Sequence, residues 1–87
     1  MYNEYLGRRV RATWEDIVAW GGWTSSEKFE KEGQKPWLME TIGTVTWITD
    51  SCIVISATRS LQEEANDTEY NQHMTIPLGC LTSLELI

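Results

Sequence analysis

Cysteine, proline and histidine are scarce in this chain of 87 residues, with two, two and one of each, and no long apolar run occurs. Each scarcity removes options. Cys52 and Cys80 are too few and too far apart to make a metal-binding spacing, so both are expected as free thiols in a reducing cytoplasm. His73 has no sequence neighbour fitted to work with it in general-base or nucleophilic chemistry. Glu15-Asp16 and Glu63-Glu64 are adjacent carboxylates rather than a pair facing across a cleft, and there is no glycine-rich phosphate loop. The chain therefore reads as a protein that is not an enzyme and uses no cofactor and no metal.

No stretch reaches the roughly 18 apolar residues of a membrane span, and Met1 to Leu6 lacks the basic and apolar segments of a secretory leader. No membrane association is expected. Positive charge is in short supply too. Seven basic residues against 13 acidic ones give a net charge of −6, a sign that repels phosphate backbones and disfavours nucleic acid as a partner.

Apolar area is what the chain does have. Five tryptophans lie within a hydrophobic fraction of 41%, and each buried indole removes roughly 150–250 Å² from water. At this length residues 1–87 form a single domain, with room for one modest core.

The strongest pattern runs from Thr41 to Thr58, dense in β-branched residues and broken once at Asp50-Ser51. It predicts a hairpin of Trp37 to Thr49 and Cys52 to Ser60, with Gly43 at a bend or a close backbone approach. Upstream, Val10, Ala12 and Trp14 alternate with Arg9, Arg11 and Thr13, a first strand with one wet face. Trp14 and Trp37 are expected in the core. Asp16 to Trp20 has the length of one helical turn, stopped by Gly21-Gly22, but five residues are too few for a stable independent helix. Gly21 to Pro36 reads as a long loop with a short helical turn, its Thr24-Ser25-Ser26-Glu27 spaced as a capping box. Leu61 to Gln72 is an acidic, polar excursion, His73 to Ile76 resumes extended structure, Pro77 and Gly79 force a turn, and Cys80 to Ile87 is a last strand. Five short strands and no repeat predict an all-β fold, a small SH3-like or Sm-like barrel with a long loop after the first strand.

Val10 to Asp16 with Trp20 and Trp23, then Ile42-Gly43, Cys52 to Ser56, and Ile76-Pro77-Leu78-Gly79-Cys80 together resemble a group of small bacteriophage and prophage proteins of about this length. The resemblance covers most of the chain in short motifs, and it implies a phage origin, a host-cytoplasm setting and the fold more than an activity. Trp47 and Ile48 stand where that pattern expects charge near the hairpin tip, which favours an exposed contact surface there.

Three features remain as candidate sites. Trp20 and Trp23 flank Gly21-Gly22, with Phe29 as the next apolar anchor. Either they fold back over an open barrel end, or they anchor a partner protein, since tryptophan is enriched among residues that carry interface energy. Arg8, Arg9 and Arg11 read as the wet face of an edge strand, or alternatively as an anion or nucleotide site. The acidic run Glu63 to Glu69 reads as a solvated loop, or as charge mimicry of nucleic acid. The favoured expectation is a protein-interaction module that binds a host or phage protein through Trp20, Trp23 and Phe29, with self-association through strand edges as a further possibility.

Overall fold

Five strands pair antiparallel in the order β4-β3-β2-β1-β5, in a computed structural model that describes residues 2–33, 35–61 and 68–87. The strands are β1 (Arg9–Asp16), β2 (Trp37–Ile48), β3 (Cys52–Arg59), β4 (Tyr70–Pro77) and β5 (Leu81–Leu86). A short helix, α1 (Ser26–Glu32), lies between β1 and β2, and 3₁₀ turns cover Asn3–Tyr5 and Leu78–Cys80. The fold is mainly β, as the alternating and β-branched segments predict.

Residues directly opposite in an antiparallel ladder share a face. Val10, Ala12, Trp14 and Asp16 of β1 stand opposite Gly43, Thr41, Met39 and Trp37 of β2. Along that face Val10 and Ala12 are fully buried, and they meet Val45 of β2, Ile53 and Ile55 of β3 and Ile76 of β4 in a single cluster. Leu81 and Leu84 of β5 pack against its side. Each such aliphatic side chain contributes about 1.5–3 kcal/mol by leaving water. The sheet curls around this cluster: Thr41 Oγ1 on β2 accepts the Trp14 indole N–H at 2.9 Å and lies 3.2 Å from Met74 Sδ on β4, two strands away. No ladder joins β4 to β5 among the described residues, so the hydrogen-bonded sheet is open rather than a closed barrel.

Two local devices bend β2. A Cβ at Gly43 would sit 2.5 Å from the Ser56 carbonyl oxygen, so only glycine lets β3 approach there. Thr46 is bulged out of the ladder between Val45 and Trp47. The turn at Asp50-Ser51 is held by Thr49, whose Oγ1 accepts the N–H groups of Ser51 and Cys52 at 3.2 and 3.1 Å.

The strand ladders do not share a common length, and this shapes the molecule. β5 follows β1 only as far as Trp14, and β3 joins β2 only from Thr44 onward. Among the described residues Glu15-Asp16 and Trp37-Leu38 therefore pair with nothing but each other. This two-stranded ribbon and residues 17–36 beyond it form an arm distinct from the body of the sheet. The dimensions are 62 × 24 × 22 Å and the radius of gyration is 17.4 Å, against about 12 Å for a compact domain of this length.

Several expectations from the sequence are corrected. β1 runs through Asp16, and Ile17 N–H is taken by Asp16 Oδ1 at 2.9 Å. The cap of α1 is Ser25, one residue beyond Thr24, accepting Lys28 N–H at 3.4 Å. β4 starts at Tyr70, so the last three residues of the 61–72 excursion are strand, while 62–67 lie outside the described residues. β1 is an interior strand between β2 and β5, so Arg8, Arg9 and Arg11 do not line an edge. Trp37 is 63% exposed, because the ribbon carries it past the end of the core.

Candidate functional site

The arm gathers the apolar side chains that the body leaves uncovered. Ile17 is 88% and Trp23 101% exposed, and Trp37 and Leu38 stand open on opposite faces of the ribbon. Asp16, Ile17, Val18, Ala19 and Trp37 line a shallow depression where the ribbon ends.

Beyond the depression the chain folds locally. Gly22 sits at φ +109°, a conformation open to glycine and strained for other residues, and it turns the chain between Trp20 and Trp23. α1 then forms on its Ser25 cap, with Glu27 and Lys31 paired at 3.0 Å one turn apart, and Gly33 N–H closes it on the Phe29 carbonyl. Trp20 lies edge-on to Phe29, ring centroids 5.5 Å apart and planes at 68°. Such a pair is worth about 0.5–1.5 kcal/mol beyond its area. It fixes the tip of the arm while both rings stay half exposed.

The structure thus brings Trp20 and Phe29 together and leaves Trp23 standing free in solvent. None of the three belongs to the core cluster. Neither indole packs against the core cluster of the body. Ile17, Trp37 and Leu38 add exposed apolar area along the arm, the last two on opposite faces of the ribbon, and were missed from sequence. Their exposure follows from where β3 and β5 stop along β2 and β1, which strand pairing decides.

The arginine cluster is divided. Arg11 reaches Glu40 Oε2 through Nε at 3.5 Å and Glu85 Oε2 through Nη1 at 3.2 Å, so two carboxylates from the flanking strands occupy its guanidinium. Arg8 and Arg9 are exposed. An anion at this place would compete with Glu40 and Glu85 for Arg11. Of the acidic run, residues 63–67 lie outside the described residues.

His73 has the partner that sequence proximity did not reveal. β4 places it opposite Ser56 of β3, with Ser56 Oγ 2.7 Å from His73 Nδ1 and 2.9 Å from Thr46 Oγ1. Thr46 Oγ1 in turn donates to the Val54 carbonyl at 3.4 Å. Ser56 is 1% exposed. The network ties three strands together across the bulge.

Cys52 and Cys80 are free thiols, partly buried. Among the described residues no group of three or more His, Cys, Asp or Glu is placed to hold a metal, and no helix is long and apolar enough to cross a membrane. Trp47 is exposed near the hairpin turn, whereas its neighbour Ile48 packs against the core. Compared with known proteins, the chain matches no family model, no curated protein and no solved structure.

Proposed function

We propose that this chain is a non-enzymatic protein-interaction module, phage-encoded and acting in the host cytoplasm, that docks a host or phage protein through the arm that carries Trp20, Trp23 and Phe29. One observation carries the reading: three of the five tryptophans, Trp20, Trp23 and Trp37, stand half or more exposed with Phe29 on an arm outside the core cluster. Tryptophan at such a place gives a partner a large contact area at small entropic cost, which is why it dominates interface energies. The body serves as the scaffold. Its strand order, with the last strand beside the first and a 3₁₀ turn between the last two, supports an SH3-like barrel, as does the Trp14–Thr41–Met74 contact across the curl. In such barrels the loop after the first strand commonly borders the ligand groove, an analogy that agrees with the arm.

The test is capture of a partner from bacterial lysate by wild type, Trp20→Ala and Trp23→Ala, each checked for retained strand content by circular dichroism. Loss of capture in folded variants supports the arm. Unfolding of either variant returns the indoles to a structural role and removes the proposal. The alternative, sequestration of a small anion or nucleotide by Arg8, Arg9 and Arg11, is checked by calorimetry with a nucleotide panel, where absence of heat eliminates it.

A further inference from the structure

One carboxylate sits in an otherwise apolar hollow. Asp16 and Trp37 are direct ladder partners, so their side chains stand on the same face at the end of the ribbon. Ile17, Val18 and Ala19, the first residues beyond β1, complete the lining. Among the described residues no third strand flanks the pair, and the indole stays open to water.

Asp16 is only partly engaged. Its Oδ1 accepts Ile17 N–H at 2.9 Å, which fixes the carboxylate where the strand ends. Among the described residues that is its one side-chain hydrogen bond. The ion pairs there join Arg11 to Glu40 and Glu85 and Lys31 to Glu27, so none of them brings a cation to Asp16.

The lining selects its occupant. The carboxylate repels anions, and an indole face attracts a cation within about 6 Å of its centroid. Aliphatic walls suit the methylenes of a long basic side chain, which lie along apolar surface while the charged head reaches a polar group. The hollow of about 280 Å³ falls just short of the roughly 300–1,000 Å³ of sites that enclose whole small molecules, and it fits one side chain of a larger partner. Of the two permanently basic side chains, arginine matches better. Its flat guanidinium stacks on an aromatic ring while donating to a carboxylate in its own plane, and it is less strongly hydrated than an ammonium group. A net charge of −6 draws a basic segment of the partner toward the chain.

We propose that the hollow at the end of the ribbon takes an arginine side chain of the partner protein, stacked on Trp37 and paired with Asp16. This rests on the arm being a docking element and names the chemistry that it reads.

A proton–nitrogen NMR titration of the full chain tests the site. The probes are the blocked peptide acetyl-Gly-Arg-Gly-amide and its citrulline counterpart, which has nearly the same shape and no charge. The Trp37 indole N–H, identified by its absence in Trp37→Phe, and the amides of residues 17–19 are expected to shift saturably with the arginine peptide and to stay still with citrulline. Asp16→Asn keeps an acceptor for Ile17 N–H while removing the charge, and is expected to weaken binding by about tenfold or more. Shifts that citrulline reproduces, that Asp16→Asn leaves unchanged, or that never occur overturn the arginine site. Lysate capture by Trp20→Ala and Trp23→Ala decides the docking arm separately. Lost capture beside an unresponsive Trp37 leaves the arm standing without this site, whereas retained capture removes the arm's role and the proposed partner arginine with it.

Discussion

The body and the arm are made from the same two strands, yet they follow opposite rules. In the body, β1 and β2 have neighbours on both sides, and alternate residues disappear into one cluster: Val10, Ala12 and Val45 are fully buried. A few residues further, the same face of the same ladder holds Met39 and Trp37, both open to water. The period of two has not changed; only the flanking strands have ended. Apolar alternation thus specifies which side chains want cover, and the lengths of neighbouring strands decide which ones the chain covers by itself.

Substitutions that attack the body should have the larger effects on stability. Ile53→Ala, at the centre of a cluster of six fully buried apolar residues, is expected to cost about 2–5 kcal/mol, enough to unfold a domain this small, measured by denaturant titration. Gly43→Val drives side-chain atoms into the Ser56 carbonyl and Ile55 Cγ2 and is expected to cost at least about 1–3 kcal/mol, read in the same titration. Thr44→Val should act in the other direction. Thr44 Oγ1 is buried without a hydrogen-bond partner among the described residues, and replacing it by a methyl is expected to raise stability by about 1 kcal/mol. Trp23→Ala, at a side chain wholly in solvent, should move the stability of the dilute chain by less than about 0.5 kcal/mol while removing capture. A large loss of stability there would erase the distinction between the two regions.

Much of the body was legible in the sequence. The hairpin around Asp50-Ser51, the wet and dry faces of β1, and the bend at Gly43 follow from side-chain branching, the period of two and a missing Cβ. These are local properties. What was not legible is relational. Arg11 was assigned to an edge because the sequence does not say that β5 returns to lie beside β1, and its two carboxylate partners lie on strands far away in the chain. Trp37 was placed in the core because it opens an apolar strand, whereas its burial depends on where β3 begins. His73 was left without a partner because Ser56 becomes its neighbour only through strand pairing. In the arm, Trp20, Trp23 and Phe29 were singled out by their setting between glycines and charge. Ile17 and Leu38, with no such setting, were not.

The division into a self-sufficient body and an arm proposed to recognise a partner has one direct test. Asp16 and Trp37 are ladder partners, so residues 17–36 are replaceable by an Asn-Gly hairpin turn joining them. The shortened chain is expected to melt cooperatively, with the β spectrum of the parent, and to have lost partner capture. A shortened chain that is unfolded, or one that folds and still captures its partner, would contradict the account.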